Sequence, residues 1–208
     1  KSTNVVNTYL NGILKGKKVN GFTFKGLKES LNDKRFKDFI ENNPVYNALL
    51  RNTVTLTVLK GGEKVNVIPG ESFAYFDARL LPTERHEHFF KKINSLGGKD
   101  VQIIRIGSGI NEPAPSGYNT PFFNGIKGAV NKKKGAIPVL PFITTGATDL
   151  RYFRNLGVTA YGFFPAAIAI EDVLRMHGKN ERVSIESLRE GLDGTYEIVK
   201  FLSTVTSG

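Results

Sequence analysis

The chain has 208 residues, of which 40% are apolar, with a formal net charge of +10 and no cysteine. This length suits one large domain or two small ones, and no apolar run is long enough to predict a membrane span. The lack of cysteine excludes disulfides, thiolate metal sites and a cysteine nucleophile. The first residues lack the apolar stretch of a signal peptide, and a cytoplasmic location is slightly favoured over other compartments.

The positive charge has two interpretations. The densest lysine run, "NKKKGA" at residues 131–136, falls where a helix is predicted to end, and cations are favoured there by the helix dipole. A phosphate-binding surface would instead need basic side chains interleaved with stacking aromatic ones on one face. The helix end is the favoured interpretation, and we expect no nucleic-acid partner.

The first fifty residues predict short helices joined by polar loops. Apolar side chains at helical spacing predict a helix over residues 3–14. Residues 16–34 are expected to form an extended loop with one short helix near residues 26–31. A further helix is predicted over residues 34–42, ending before Pro44 because the residue before a proline disfavours helical backbone.

The pattern then alternates with a period of two residues. "NTVTLTVLKGG" at residues 52–62 predicts a half-buried strand with Val54, Leu56 and Val58 on one face and three threonines on the other. "SFAYFDARLL" at residues 72–81 predicts a second strand. A helix is expected over residues 83–96, with Thr83 as N-cap and a Gly-Gly stop.

"DVQIIRIG" at residues 100–107 predicts a third strand of this region. Strand, strand, helix and strand within about 60 residues predict an α+β unit with an antiparallel sheet and helices on one face. With a preceding helix, this order is typical of a ferredoxin-like layer. The linker "NEPAPSGYNTP" at residues 111–121 predicts a boundary near Ser116.

The remaining residues predict an α/β unit. A helix over residues 121–133 leads to the apolar strand "AIPVLPFITT", a short helix over residues 149–155 and the buried strand "VTAYGFF". Ser184 is the expected N-cap of a final amphipathic helix. The apolar face of that helix is predicted to contain Ile185, Leu188, Leu192, Val199 and Leu202.

Candidate chemistry appears first in "TTGATDLRYFRNLGVTAYGFFP" at residues 144–165. A strand that ends here and opens a helix presents free backbone N–H groups, which suit an anion. The structural alternative is a simple strand–helix turn in which Gly146 meets a demand on φ and Asp149 caps the helix. On spacing alone the turn is favoured.

A second candidate is "NVIPGESFAYFDAR", in which Asn66 precedes a turn and Arg79 follows on the returning strand. Its structural alternative is a turn asparagine and an arginine on an exposed sheet face. The third is "VLRMHGKNERVS", where His177 stands in a polar break. A metal site needs further donors, and an isolated histidine is often solvated. His86 and His88, two residues apart on a predicted helix, are expected to diverge at the surface.

Taken together, these stretches resemble a known family. "NTVTLTVLKGGEKVNVIPGESFAYFDARLLP", "TTGATDLRYFRNLGVTAYGFFP" and "MHGKNERVSIESL" resemble, in order and separation, the dinuclear zinc hydrolases that include aminoacylase, carboxypeptidase S and related dipeptidases. The resemblance implies that residues 1–116 are a ferredoxin-like lid and dimerisation domain. It also implies that residues 117–208 are the C-terminal part of the catalytic α/β domain.

The resemblance also implies roles for single residues. His177 matches the last metal ligand of the family, where a neutral imidazole suits zinc. Arg79 would hold a substrate carboxylate and Asn66 would hydrogen-bond to it or to the nearby amide. Gly146, Ala147 and Thr148 match the loop that contacts the substrate end; relatives often have Gly-Gly-Thr-Asp there, and this chain has Gly-Ala-Thr-Asp.

The other zinc ligands and the Glu base of the family have no counterpart among these residues. The resemblance therefore implies part of a hydrolase that uses two zinc ions to cleave an amide bond beside a free carboxylate, in an N-acyl amino acid or short peptide. We expect the chain alone to be inactive and nearly free of metal. Its expected partners are that substrate, a missing N-terminal catalytic part and a second copy of the chain. A non-catalytic binding or dimerisation module is the alternative.

Overall fold

The computed structural model describes residues 2–107 and 113–205, so the first two residues of the predicted linker, 111 and 112, lie outside the described residues. The helices are α1 (Asn4–Leu14), α2 (Leu27–Ser30), α3 (Lys34–Glu41), α4 (Pro44–Leu50), α5 (His86–Asn94), α6 (Pro121–Lys134), α7 (Leu150–Asn155), α8 (Ile170–Val173) and α9 (Ile185–Val205). The strands are β1 (Lys18–Val19), β2 (Phe22–Thr23), β3 (Thr53–Gly61) and β4 (Ser72–Arg79).

The chain separates into two compact units. One consists of Lys1–Pro115 with Leu140–Thr148, and the other of Ser116–Val139 with Asp149–Gly208. Each unit is described by itself below. None of the described helices combines the length and the apolar character that crossing a bilayer demands.

The core of the first unit is built on α1. The predicted helix is confirmed, and Thr3 is its N-cap: the Thr3 hydroxyl accepts a hydrogen bond from the Val6 backbone N–H at 3.2 Å. Val6, Leu10 and Leu14 recur at intervals of four residues and are buried. They pack with further buried side chains of the following loop and helices: Phe24, Leu27, Phe36, Ile40 and Leu49.

Helix α4 is absent from the sequence prediction, which ended the preceding helix before Pro44 and expected no further one. Pro44 occupies the first turn of α4, where a proline costs no hydrogen bond. The Asn43 side-chain oxygen accepts from the Tyr46 N–H at 3.0 Å and caps the helix. The same proline therefore ends one helix and begins the next.

A short hairpin replaces part of the extended loop predicted for residues 16–34. Strand β1 pairs antiparallel with β2, with Val19 opposite Phe22. The two residues between the strands, Asn20 and Gly21, have φ values of 48° and 74°. Asn-Gly at positive φ is the preferred two-residue hairpin turn, so this dipeptide was a sequence signal for the hairpin.

The main sheet is a two-stranded antiparallel ribbon of β3 and β4. Both predicted strands are confirmed, but Val58 does not share a face with Val54 and Leu56. A β-bulge at Thr57 shifts the register, so that Leu56 lies opposite Phe76 and Val58 lies opposite Tyr75. Because a bulge adds a residue to one strand, the alternation of faces is displaced by one position beyond it.

The bulge gives the ribbon two different faces, both open to solvent. On the first, Val54, Leu56 and Leu59 lie opposite Ala78, Phe76 and Ala74. We call these six residues the apolar face; its large side chains are 46–72% exposed. On the second, the cross-strand pairs are Thr53–Arg79, Thr55–Asp77, Val58–Tyr75 and Lys60–Phe73. We call this the arginine face.

Helix α5 follows the ribbon but starts later than the predicted Thr83 cap. Its N-cap is Arg85, whose side chain makes no capping hydrogen bond. Glu84, just before it, contacts the His88 Nδ1 atom at 2.7 Å and accepts from Asn52 at 3.0 Å. These hydrogen bonds, that of His88 first, hold the pKa of the Glu84 carboxyl below its usual value.

The strand predicted at residues 100–107 is wrong: these residues form no strand in the structure. The alternation of polar and apolar residues in this segment is typical of a strand. A strand also needs a hydrogen-bonded neighbour, and neither β3 nor β4 pairs with this segment. The first unit is therefore an α+β unit with two small antiparallel sheets, and its ferredoxin-like arrangement stays a prediction.

The strands predicted at residues 136–145 and 158–164 are also not formed. In the first segment, Phe142 packs its ring 4.9 Å from Tyr9 of α1. In the second, the Tyr161 ring packs on Phe122 and Phe123 of α6. Both apolar runs therefore pack against helices. A buried strand and an irregular segment that packs on a helix have the same apolar sequence pattern.

The second unit is organised around α6 and α9. Ile126 and Ala129 of α6 pack with Ile198 of α9, and the Gly125 position faces Leu202 closely. The predicted Ser184 N-cap is confirmed, since its hydroxyl accepts from the Ser187 N–H at 3.0 Å. Of the predicted apolar face only Leu202 packs in this core, whereas Ile185, Leu188, Leu192 and Val199 are 51–70% exposed.

Candidate functional site

Arg79 is the last residue of β4, at the end of the arginine face. Its Nε atom donates to the Asp77 carboxylate at 2.5 Å. Asp77 precedes it by two residues, so both side chains lie on the same face of the strand. Both are about half exposed. Within the described part of the chain, the two terminal guanidinium nitrogens have no hydrogen-bonded partner.

Asn66 lies in the loop between β3 and β4, in a turn as expected from the sequence. The Lys64 carbonyl accepts from the Val67 N–H at 3.3 Å across this turn. Asn66 itself is exposed, and three apolar side chains beside it, Val65, Val67 and Ile68, are 56–109% exposed. The loop is open, and the role predicted for Asn66 stays a prediction.

The loop around Gly146, Ala147 and Thr148 is exposed throughout. Gly146 donates its N–H to the Thr144 hydroxyl at 3.2 Å. Its φ is not positive, so the expectation that this glycine meets a special backbone demand is wrong. The backbone N–H of Gly146 is therefore already hydrogen-bonded to a side chain of the same loop.

Asp149 does not cap α7 through its side chain, which corrects the second part of the structural alternative. Its φ and ψ of −68° and −8° are already helical. A capping side chain reaches the first N–H groups from an extended backbone, which Asp149 lacks. With only six residues, α7 also offers a weak dipole, so this helix start alone makes no anion site.

His177 lies in the turn after α8, and its side chain is exposed. The residue itself adopts a φ of 60°, as does Asn180, whereas Gly178 does not have a positive φ. A histidine in this region is uncommon. The turn therefore places its conformational strain on the candidate ligand and not on the adjacent glycine.

An aspartate that the sequence interpretation did not single out holds this turn together. The Asp172 carboxylate accepts from Arg182 Nε at 2.8 Å, and the Arg175 Nε lies 3.6 Å away. Asp172 comes before His177 and Arg182 after it, so one carboxylate joins both sides of the turn. The signal for this arrangement in the sequence was an aspartate followed by two arginines within ten residues.

The histidines of α5 contact different partners, as their spacing predicts. His88 contacts Glu84, whereas His86 Nδ1 lies 3.2 Å from an Arg105 nitrogen. The lysine run at the end of α6 also pairs internally: Lys134 binds Glu190 at 3.0 Å and Lys133 lies 4.0 Å from Asp193. These pairs support the helix-end interpretation of the positive charge.

A zinc site can be tested against the donors present. No group of three or more His, Cys, Asp and Glu side chains suited to a metal occurs among residues 2–107 and 113–205. Zinc in proteins takes three or four such ligands. The described donors supply no such set, and His177 stays a predicted ligand.

The structure places the predicted substrate-binding residues in one unit. Asn66, Arg79 and the loop at residues 146–148 belong to the first unit, and His177 belongs to the second. Asp77, Val58 and Tyr75 share the arginine face with Arg79, and none of the three was predicted as a site residue. Alternation along β4 could have identified Tyr75 and Asp77, but Val58 required knowledge of the bulge.

Comparison with known proteins agrees with these motifs. Residues 22–100 match the M20 family described as a peptidase dimerisation domain. The chain is 31% identical over 163 residues to a probable carboxypeptidase S-like protein of Dictyostelium discoideum, which covers 77% of this chain and 31% of that protein.

Two further relatives have related activities in their names. The N-fatty-acyl-amino acid synthase/hydrolase PM20D1 of Homo sapiens is 28% identical over 80% of this chain and 34% of its own length. Aminoacylase-1A of Rattus norvegicus is 30% identical over 74% of this chain and 37% of its own length. No solved structure matches. The chain spans about a third of the length of these relatives. Residues 22–100 thus belong to the M20 family of peptidase dimerisation domains, and the chain as a whole is similar to carboxypeptidase S-like proteins and aminoacylases.

Proposed function

We propose that this chain supplies the substrate-binding part of a hydrolase that cleaves an amide bond next to a free carboxylate. The substrate class is an N-acyl amino acid or a short peptide. The relatives support this class, since they include a probable carboxypeptidase S-like protein, an aminoacylase and an N-fatty-acyl-amino acid synthase/hydrolase. The observation that carries the proposal is the exposed guanidinium of Arg79.

Arg79 is suited to bind a carboxylate because only one of its nitrogens is engaged. Asp77 holds the Nε atom at 2.5 Å, which restricts the rotation of the side chain. The terminal nitrogens are left to form two parallel hydrogen bonds to the carboxylate of the substrate. In this proposal Asn66 donates to the substrate carboxylate or amide, and residues 146–148 contact the substrate end.

In this function we propose that His177 supplies one metal ligand from a turn that is held in place by its neighbours. Asp172 and its arginine partners fix the turn, and the imidazole is exposed to an incoming ligand. In the complete enzyme that we propose, zinc ions would polarise the scissile carbonyl. With a single proposed ligand in this chain, we infer that the 208 residues alone bind zinc weakly and do not hydrolyse the substrate.

A carboxylate requirement is the sharpest test. N-acetyl amino acids and the corresponding N-acetyl amino acid amides differ only in the charged group that Arg79 would bind. We expect the complete zinc-loaded protein to hydrolyse the acids and to discriminate strongly against the amides. Equal kcat/KM for both members of a pair would contradict the proposal, and so would hydrolysis by the 208 residues alone at the same rate.

A second candidate function is a dimerisation module, and the apolar face favours it. Leu56, Leu59 and Phe76 are 50–72% exposed on one side of the ribbon, and an open apolar sheet face of this kind suits burial against protein. The match to a peptidase dimerisation domain includes both strands. Light scattering on the 208-residue chain tests this function: a stable dimer supports it, and a monomer at tens of micromolar protein contradicts it.

A further inference from the structure

The arginine face changes in chemical character along its length. At one end Thr53 lies opposite Arg79, and the next pair is Thr55 with Asp77. Beyond the bulge the pairs become Val58 with Tyr75 and then Lys60 with Phe73. The face therefore runs from a charged end through hydroxyl and carboxylate groups to an apolar end.

The apolar end exists because of the bulge at Thr57. If Thr57 were paired regularly, with no bulge, it would lie opposite Tyr75 and Val58 would belong to the other face. The Thr57 hydroxyl donates to the Tyr75 carbonyl at 3.1 Å, which ties the bulge to the opposite strand. The bulge thus places a branched apolar side chain beside an aromatic ring on the face that carries Arg79.

The apolar end is accessible and is not covered within the described chain. Val58 is 40% exposed, Tyr75 41% and Phe73 53%. The opposite side of the ribbon is apolar from end to end, which suits packing against protein. The arginine face also carries Lys60, opposite Phe73, whose aliphatic stem can cover apolar surface while its ammonium group stays in water. A surface with a guanidinium at one end, a polar middle and apolar side chains towards the other end matches a small amphipathic molecule, because ligand sites combine apolar lining with a few placed polar groups.

We propose that Val58, Tyr75 and Phe73 bind the apolar acyl chain of an N-acyl amino acid whose carboxylate is held by Arg79. This inference rests on the proposed function and narrows its substrate class to long-chain N-acyl amino acids. The order of groups in such a molecule is carboxylate, amide, hydrocarbon. The order along the arginine face is guanidinium, polar pair, apolar pairs.

The dimensions and the chemistry of the apolar end agree with a hydrocarbon chain. Tyr75 is four residues from Arg79, a distance of about 13 Å along an extended strand, which a medium-length acyl chain spans. A peptide of the same length would bring amide groups over Val58 and the tyrosine ring. Those amides would lose hydrogen bonds to water without replacement, whereas a hydrocarbon has none to lose.

Binding to the 208-residue chain can be followed residue by residue. We would titrate N-acetylglycine and N-dodecanoylglycine, the latter below its aggregation concentration, and record the NMR signals of the Arg79 Nε–H and of the valine methyl groups. We expect both compounds to shift Arg79 and only N-dodecanoylglycine to shift Val58. Val54, on the apolar face, is the internal control and should not respond.

The outcomes separate the inference from the function on which it rests. If both compounds shift Arg79 and neither shifts Val58, the acyl-chain site is wrong while the carboxylate site stands. Equal shifts of Val54 and Val58 would show non-specific adsorption and overturn the inference. If Arg79 does not respond to either compound, the carboxylate role and the acyl-chain site both fail.

Kinetics of the complete enzyme give an independent test with matched variants. Val58→Thr and Val54→Thr make the same change on the same strand, on opposite faces. We expect Val58→Thr to lower kcat/KM for N-dodecanoylglycine relative to N-acetylglycine by about fivefold, the size expected for losing one apolar group from a partly exposed contact. Val54→Thr should leave this ratio unchanged. If the ratio of kcat/KM for N-dodecanoylglycine to that for N-acetylglycine is the same in both variants, the inference is overturned. It is also overturned if Val58→Thr lowers kcat/KM only for dipeptides.

Discussion

Arg79 and Asp77 form an ion pair of 2.5 Å between residues two apart on the same face of β4. Because both side chains are about half exposed, such a pair contributes little to stability. Its effect is to orient the guanidinium. Asp77 engages the Nε atom and leaves the terminal nitrogens for the substrate carboxylate that we propose.

Replacing Arg79 by alanine in the complete enzyme should remove the carboxylate contact without disturbing the fold. We expect a loss of about 2–4 kcal/mol of transition-state binding, which lowers kcat/KM by roughly 30- to 1000-fold. Arg85→Ala is the control, since the Arg85 side chain makes no capping hydrogen bond. An unchanged kcat/KM in the Arg79 variant would contradict the assigned role.

Two glycines in the paired helices should respond to alanine in opposite directions. In α6, a methyl group at Gly125 would collide with Leu202 of α9, and we expect Gly125→Ala to destabilise the protein by about 1–3 kcal/mol. In α9, nothing lies within 4 Å of the Gly194 position. Gly194→Ala should stabilise by roughly 0.5–1 kcal/mol, because alanine is the better helix former. Urea unfolding measures both, and changes of the same sign would contradict the packing.

Two leucines compare the core with the open ribbon. Leu10 is fully buried in α1 and Leu59 is 72% exposed on the apolar face. We expect Leu10→Ala to lower the free energy of unfolding by about 2–5 kcal/mol. Leu59→Ala in the monomeric chain should change it by less than about 0.5 kcal/mol, as for other surface substitutions. A large effect of Leu59→Ala would show that the apolar face is already covered in solution.

The Glu84 contacts predict a pH dependence of stability. Hydrogen bonds from His88 and Asn52 lower the pKa of Glu84 below its ordinary value of 4.5. A lowered pKa in the folded state stabilises the fold above pH 4.5, and this contribution is lost as the pH falls through the folded-state value.

We therefore expect the wild-type protein to be more stable than Glu84→Gln at pH 5, and this advantage to disappear as the pH is lowered from 4.5 towards 3. Unfolding curves of both proteins at several pH values provide the measurement. Glu87→Gln on the same helix is the control. A difference between wild type and Glu84→Gln that does not change with pH would show that the hydrogen bonds do not depend on the charge.

The sequence predicted α1, α2, α3, α5, α6 and α9 and the two long strands, because the spacing of apolar residues reflects which face of an element is buried. It could not show which strand has a neighbour. Residues 100–107 alternate as a strand does, and the run containing Phe142 is as apolar as a buried strand, yet the latter packs against α1. Hydrogen-bonded pairing depends on segments distant in sequence, which a local pattern does not contain.

The candidate site shows the same limit. Arg79 and Asn66 were found from their motif, and the turn around His177 from its polar residues, but their partners were not. Asp77 and Asp172 act through ion pairs that only the fold reveals. His177 itself adopts a positive φ in this turn, which the polar residues around it did not predict. The chemistry of a side chain follows from the residue type in the sequence, whereas its contacts depend on how the chain folds.

The extra residue in β3 changes which face the following side chains occupy. Deleting Thr57 would remove the bulge and leave Val58 opposite Tyr75 and Leu59 opposite Ala74. If Thr57 were instead paired with Tyr75, every residue of β3 from Val58 to Gly61 would move to the opposite side relative to β4, so that Leu59 would join Arg79 and Val58 would join Leu56. In this ribbon a single unpaired residue, with no side chain replaced, determines which surface receives which chemistry.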